Sequence, residues 1–383
     1  METALRTIVD RVRAAAADAT PLYLRGGGTK DFYGEPPRGA LLDLRPLAGI
    51  LDYEPSELVV TARAGTPLAE LEAELAARGQ CLPFEPPHFG SGRATVGGMV
   101  AAGLSGPARA SVGAVRDYVL GAHLVNGRGE LLQFGGQVMK NVAGYDVSRL
   151  LAGSLGVLGV IAQVSLKVLP VSPAQATLRF ACTQAEALAW LNAWGGQPLP
   201  LNASCWLQQD PADTASGVLY LRLRGAVAAV QAACARLGGE HVDAAEADRA
   251  RIAADWAACR DQRLPWFAQR PAGHDLWRVS VPQTAPVLPL DVARFGLPLV
   301  EWHGGQRWYQ LAADDDAAPA VLRAAAQSVG GGASLFIASS PGRSWACGRF
   351  DALTPALDGI HRRLKAAFDP AGIFNPGRLY PGL

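Results

Sequence analysis

Three consecutive glycines, Gly26-Gly27-Gly28, follow directly on the apolar segment Leu22-Tyr23-Leu24 and run into Thr29-Lys30. Glycine tolerates positive φ and lets the main chain come close to a neighbour, so successive N–H groups can turn inward as an anion-binding nest. A single run of this kind is equally an ordinary tight turn. Two further runs narrow the choice. Residues 91–103 (Ser-Gly-Arg-Ala-Thr-Val-Gly-Gly-Met-Val-Ala-Ala-Gly) are built almost wholly from small side chains, and Gly153-Ser154-Leu155-Gly156-Val157-Leu158-Gly159-Val160-Ile161 repeats the pattern. Together they point to a long, folded-back anionic ligand, such as a dinucleotide, lying along bare main chain.

The nicotinamide fold is a poor match. Its fingerprint needs G-x-G-x-x-G between a strand and a helix, with an acidic residue about 20 positions on. Here the first run leads into Asp31-Phe32-Tyr33-Gly34-Glu35-Pro36-Pro37, which is poor in helix formers, and the third leads straight into the strand-like Ala162-Gln163-Val164-Ser165-Leu166-Lys167-Val168. No G-x-x-x-x-G-K-[ST] phosphate loop occurs either.

Composition bounds the remaining classes. A chain of 383 residues with 49% hydrophobic and 18% charged side chains is globular and long enough for two or three domains. Lys plus Arg number 35 against 34 for Asp plus Glu, so no net field favours nucleic acid. Leu5, Ile8, Val9 and Val12 fall at helical spacing where a targeting segment would carry an unbroken apolar run, and no stretch reaches the roughly 18 apolar residues of a membrane span. A cytoplasmic protein is expected, reaching a membrane surface only through partners. The six cysteines (Cys81, Cys182, Cys205, Cys234, Cys259, Cys347) lack any C-x-x-C pair, which speaks against a disulfide framework, a zinc site or an iron–sulfur cluster. The histidines show no H-E-x-x-H or H-x-H arrangement, so no metal is expected.

Patterning predicts strands at 21–24, 41–44, 58–64, 118–125 and 160–169. A hairpin turn at 126–130 returns into a strand at 131–134. Thr66 and Pro67 read as N-cap and first helical residue of a helix carrying Leu68, Leu71 and Leu75 and stopping at Gly79. Pro170-Val171-Ser172-Pro173 reads as a boundary, after which all nine tryptophans occur and helices are predicted at 184–193, 227–237, 319–329 and 353–367. The whole is α+β.

Arg25-Gly26-Gly27-Gly28-Thr29, Thr95-Val96-Gly97-Gly98-Met99, Gly113-Ala114-Val115-Arg116-Asp117-Tyr118-Val119-Leu120-Gly121, the run Gly153 to Ile161 and the terminal Phe368-Asp369-Pro370 with Asn375-Pro376-Gly377-Arg378 resemble, in order and spacing, the FAD-binding family typified by vanillyl-alcohol oxidase and p-cresol methylhydroxylase (PCMH). Met139-Lys140-Asn141-Val142-Ala143-Gly144-Tyr145-Asp146, Leu276-Trp277-Arg278-Val279-Ser280 and Glu301-Trp302-His303-Gly304-Gly305-Gln306-Arg307-Trp308 are similar, more narrowly, to the E-subunit branch of bacterial glycolate oxidases.

That resemblance implies an FAD-binding domain over 1–172, made of two subdomains, a central cap over 173–350, and a closing segment over 351–383. It implies FAD as cofactor, an oxidation of glycolate to glyoxylate, and two partners: a flavin dehydrogenase D subunit and an iron–sulfur F subunit. Carried onto this sequence, the cofactor residues are Arg25, Gly26, Gly27, Gly28 and Thr29; Thr95, Val96, Gly97, Gly98, Met99 and Gly103; Gly113, Arg116 and Asp117; Gly156, Gly159 and Ile161; and Asn375 with Arg378. The first two groups would hold the diphosphate and Gly156 to Ile161 would pass the adenosine.

Three departures matter. Gly28, Thr29 and Lys30 stand where covalently flavinylated members carry a histidine, so the flavin is expected to be dissociable. Leu155 replaces an acidic residue. The H-x-G-D-G-N motif of self-sufficient 2-hydroxy-acid dehydrogenases is also absent. Such an oxidation needs a base for the hydroxyl proton, a cation for the carboxylate and a hydride acceptor. His303 as base, with Arg278 or Arg307 as cation, is the candidate set, against the reading that these residues are structural or belong to a subunit interface. Three functions stay open: a flavin-bearing subunit of the oxidase, a scaffold that stabilises the dehydrogenase subunit, and a stand-alone dehydrogenase.

Overall fold

The computed structural model describes residues 2–90, 92–136, 146–208, 217–340 and 348–383. The motif at Met139 to Tyr145 lies outside them. The chain forms two compact units. The first comprises Met1–Leu104, Ala114–Val171 and Ser344–Leu383, and the second Ser105–Gly113 and Ser172–Arg343. A short stretch of the N-terminal half, Ser105–Gly113, thus belongs with the second unit, and the C-terminal segment belongs with the first.

At the centre of the first unit is a five-stranded antiparallel sheet in the order Ile50–Glu54, Val59–Arg63, Val160–Lys167, Val119–Val125, Leu131–Gly135. Its central strand, Val160–Lys167, is buried at six of eight positions, because both of its faces are covered. Val164 and Leu166 join Leu68, Leu71 and Leu75 of helix Leu68–Ala77 in one core. Val160 and Ala162 join Leu5, Ile8, Val9 and Val12 of helix Thr3–Ala17 in another. Double burial explains why this strand reads as a nearly continuous apolar run rather than an alternating one. Beside the second core lies the parallel pair Leu22–Arg25 and Ala40–Asp43, extended by a parallel bridge from Leu22 to Phe374.

Two local expectations are corrected. Thr66 is not the N-cap of the following helix, which starts at Leu68 after Pro67. Its hydroxyl instead accepts from Gly49 N–H (2.9 Å) and approaches the Gly49 carbonyl (3.1 Å), while Leu68 N–H is taken by the Ala94 carbonyl (2.8 Å). The second glycine-rich run is not all loop either: Val96–Ala102 is a helix capped by the Thr95 hydroxyl and ended by Gly103 at φ 64°.

The second unit is built on an eight-stranded antiparallel sheet, ordered Glu240–His241, Ala174–Cys182, Gly217–Gly225, Leu201–Leu207, Leu299–Glu301, Gln306–Ala312, His274–Ser280, Gly332–Ile337. Helices Gln184–Gly195 and Val227–Leu237 cover one face through Leu188, Leu191 and Val230 packed on Trp206, Leu219 and Leu221. On the other, helix Glu246–Arg260 lays Trp256 over the Arg222 guanidinium at 4.8 Å.

Candidate functional site

The strand Leu22–Arg25 ends where the three glycines begin, and the turn has no room for side chains. A Cβ on Gly26 would lie 2.2 Å from the Thr95 hydroxyl oxygen, and one on Gly27 would lie 1.5 Å from the Arg93 carbonyl oxygen. Gly28 has φ 70°. The two glycine-rich segments therefore meet in close contact and form a cradle.

A cavity of about 90 Å³ opens beside them, walled by Arg25, Gly26, Gly27, Gly28 and Thr29 on one side and Thr95, Gly98, Asn375 and Arg378 on the other. Among the described residues, no acceptor is bonded to the main-chain N–H groups of Gly26, Gly27, Gly28 or Thr29. Buried or half-buried backbone donors are normally paired, so this row of donors fits an anion. A diphosphate beside the side-chain-free run Gly26 to Gly28 suits it, and the residues present fit FAD on that ground.

Polar side chains fix the cradle. Asn375, at φ 40°, accepts from Leu24 N–H (2.9 Å) and donates to the Leu155 carbonyl (2.7 Å). Arg378 donates to the carbonyls of Glu35, Asp31 (3.0 Å) and Lys30 (3.4 Å), clamping the loop after the glycines. Arg25 holds Asp31 at 2.8 Å, so the carboxylate facing the cavity is neutralised, and the bond raises the Arg25 guanidinium pKa further. Tyr23 lines the same cavity, and burial, reinforced by Asp31, pushes its phenol well above the usual tyrosine value.

The remaining expected cofactor residues stand elsewhere. Val96, Met99 and Ile161 point into the core. Gly97 packs against Ala64 (2.5 Å from a Cβ) and Gly103 against Gly153 (2.7 Å). Gly156 backs onto Asn375 and Leu24, and Gly159 onto the Val125 carbonyl. The Asp117 carboxylate caps Ala114 N–H at 2.8 Å. Gly113 belongs to the second unit. Arg116 lines a separate cavity of about 210 Å³ with Ser154, His361 and Lys365. Sequence reasoning missed Tyr23, Asp31 and Leu155 as wall residues. The charge pair Arg25 and Asp31, six positions apart, was the available signal for one of them.

The candidate catalytic set is not assembled as a site. Arg278 pairs with Trp308 in the ladder and Val279 with Arg307, so Arg278 and Arg307 project from opposite faces of the sheet. Arg307 is fully buried, with its guanidinium donating to the carbonyls of Gly304 (3.2 Å), Pro286 (2.6 Å) and Ala285 (2.6 Å). Three of its five N–H groups, at least one on every guanidinium nitrogen, are committed to main-chain carbonyls, so it shapes the turn. Arg278 stacks on Phe336 at 5.7 Å.

His303 sits in a run of left-handed backbone, Trp302 at φ 54°, His303 at φ 54° and Gly304 at φ 97°. Its Nδ1 meets Ser204 Oγ at 3.0 Å and its Nε2 meets Ser111 Oγ at 2.9 Å. Ser204 Oγ also accepts the His303 main-chain N–H (3.0 Å). Both nitrogens are engaged, and burial pushes the imidazole down to about 4. The ring is neutral at pH 7 with no lone pair free for a hydroxyl proton.

The FAD binding domain family matches residues 4–135, and the C-terminal domain family of FAD linked oxidases matches residues 352–379. The chain is 42% identical over 378 residues to the glycolate oxidase subunit GlcE of Escherichia coli K12, covering 99% of this chain and 98% of that protein. It is 34% identical to the D-lactate dehydrogenase of Archaeoglobus fulgidus over 42% of this chain and 35% of that one. With the glycolate oxidase subunit GlcD of Bacillus subtilis it shares 30% identity over 41% of this chain and 34% of that protein. A solved alkyldihydroxyacetonephosphate synthase superposes over 97% of this chain and 74% of its own with a TM-score of 0.63 at 16% identity, a likeness of fold alone.

Proposed function

This chain belongs to the FAD-linked oxidoreductases of the PCMH-type FAD-binding family, and from that premise we propose that it is the FAD-binding subunit of a glycolate oxidase. The observation that carries the proposal is the row of unbonded amides at Gly26 to Thr29 beside a cavity, in a turn packed so closely on residues 93–95 that Gly26 and Gly27 admit no side chain. Those amides bind the diphosphate directionally, without long cationic side chains whose ordering costs entropy. Asn375 ties Leu24 to Leu155 and Arg378 clamps the loop after the glycines, and Thr29 and Thr95 line the cavity. When bound, FAD supplies the acceptor for the hydride that leaves the substrate carbon. With no histidine in the glycine turn, attachment is non-covalent.

Glycolate oxidation to glyoxylate also removes a hydroxyl proton and requires a cation opposite the carboxylate. In this chain, the engagement of His303 and Arg307 supports a division of labour: those two groups come from a D-type flavin dehydrogenase subunit, and electrons leave through an F-type iron–sulfur subunit. The same observation counts against a stand-alone dehydrogenase. Among the described residues, no helix is long and apolar enough to cross a membrane, so attachment to one would run through those partners.

The test is an anaerobic spectrum of the purified chain before and after glycolate or D-lactate. A bound flavin band that stays oxidised, and bleaches once D-type and F-type subunits are added, is the expected result. Bleaching by the chain alone would return catalysis to His303 and its neighbours, and a colourless protein that binds no added FAD would leave the scaffold reading.

A further inference from the structure

The second unit contains a thiol pair that the flavin reading does not use. Cys205 lies on strand Leu201–Leu207 directly opposite Glu301 in the ladder, so the two side chains share a face of the sheet. Onto that face helix Glu246–Arg260 brings Cys259 in its last turn, where the thiol donates to Glu301 Oε1 at 3.3 Å. The other carboxylate oxygen is fixed by Trp308 Nε1 (2.5 Å) and Gln306 Nε2 (3.1 Å). Both cysteines are buried free thiols on the same side of Glu301. They line one cavity of about 230 Å³ whose other walls include Tyr220, Ile252, Trp256 and Leu264. An apolar cavity of about 150 Å³ already admits a benzene ring, so a small peroxide can reach the sulfurs.

We propose that Cys205 and Cys259 are a reversible oxidation site, in which a hydroperoxide converts Cys205 to the sulfenic acid and Cys259 resolves it to a disulfide. In the first step the Cys205 sulfur attacks the peroxide, an S–O bond forms, the O–O bond breaks, and the departing alkoxide or hydroxide takes the thiol proton. In the second, the Cys259 sulfur attacks Cys205, the S–S bond forms and the S–O bond breaks. Glu301 Oε1, already bonded to the Cys259 thiol, accepts its proton and returns it to the leaving hydroxide as water. Two thiols lose two electrons and two protons, and the peroxide is reduced to an alcohol and water, or to two waters from hydrogen peroxide. The Cys205 side chain, burial and the facing Glu301 together raise the Cys259 thiol above the usual thiol range.

The test uses the full chain, reduced and desalted, then exposed to hydrogen peroxide, denatured, alkylated and mapped by mass spectrometry. A cross-linked peptide pair joining Cys205 to Cys259, abolished by dithiothreitol, is the expected product. Cys259→Ser should instead yield a Cys205 sulfenic acid that dimedone traps, and Cys205→Ser should leave Cys259 reduced. The proposal is overturned if Cys205 and Cys259 both remain open to alkylation after Cys81 and Cys234 have been oxidised, or if Cys205 pairs with a different cysteine. The wild-type map decides the matter even where a variant fails to fold.

Discussion

At Gly27 an added Cβ meets a carbonyl oxygen of the opposing loop at 1.5 Å, and backbone cannot swing aside as a side chain would. Gly27→Val is therefore expected to lose the flavin, read as the ratio of flavin to protein absorbance after desalting and as a titration with added FAD. Flavin retained at wild-type affinity would remove the diphosphate from this loop. His303 makes an independent residue-scale prediction. Its folded pKa near 4 lies below the unfolded value of about 6.5. The stability this contributes is fully present above about pH 6.5 and is lost as pH falls toward 4, because the unfolded chain takes up a proton the folded ring refuses. The shift corresponds to about 3 kcal/mol. Urea unfolding followed from pH 7 to pH 4 should show this slope, and His303→Gln should flatten it. An unchanged slope in the variant would mean the ring is not buried neutral. For the same reason no group belonging to His303 should appear in a rate profile between pH 6 and 8.

Among the elements, the closing segment after helix Pro355–Phe368 shows how a terminal motif supports a distant loop. Lys365 is buried and donates to Asp369 (2.7 Å) and to the carbonyls of Val157 (2.8 Å) and Phe374 (2.7 Å). Asp369 in turn accepts from the N–H groups of Ile373 (3.1 Å) and Phe374 (2.7 Å). This knot sets where Asn375 and Arg378 emerge, and they hold the glycine cradle. Removing one partner of a buried pair leaves the other charge uncompensated, at a cost of about 3–5 kcal/mol. Lys365→Met should accordingly destabilise the chain by that order in urea unfolding and weaken FAD binding with no substituted residue touching the cavity. Undiminished stability would mean that the backbone bonds to Asp369 carry the knot alone. The motif was legible as a pattern in the sequence, and so was the hairpin Val119–Val125 with Leu131–Gly135. What patterning could not supply was the Thr66 side chain turning to Gly49, or a helix within 91–103. Both depend on acceptors outside the local window, the Gly49 carbonyl 17 residues before the Thr66 hydroxyl and the Ala64 carbonyl for Gly97 N–H (2.8 Å).

For the molecule as a whole, the segment Ser105–Gly113 decides what the second unit needs. Trp302 Nε1 donates to the Gly106 carbonyl at 2.9 Å, Arg109 stacks on the Trp302 ring at 4.4 Å, and His303 reaches Ser111. A fragment spanning 172–343 lacks all three, and the loss of two hydrogen bonds and a cation–π contact amounts to about 2–3 kcal/mol. Its tryptophan fluorescence should report unfolding at lower urea than the same unit in the full chain, with the difference restored when residues 105–113 are joined back. Equal midpoints would mark the segment as passive. The sequence by itself determined the α+β class, the glycine cradle and the flavin family, because these rest on local necessities: a main chain that must be bare, strands that must be apolar, a turn that must be tight. Only the tertiary structure decided that Arg278 and Arg307 face apart, that His303 is wired between two serines, and that Cys205 and Cys259 line one cavity. Those are juxtapositions of residues far apart in the chain, set by sheet register and helix packing, and local spacing does not encode them.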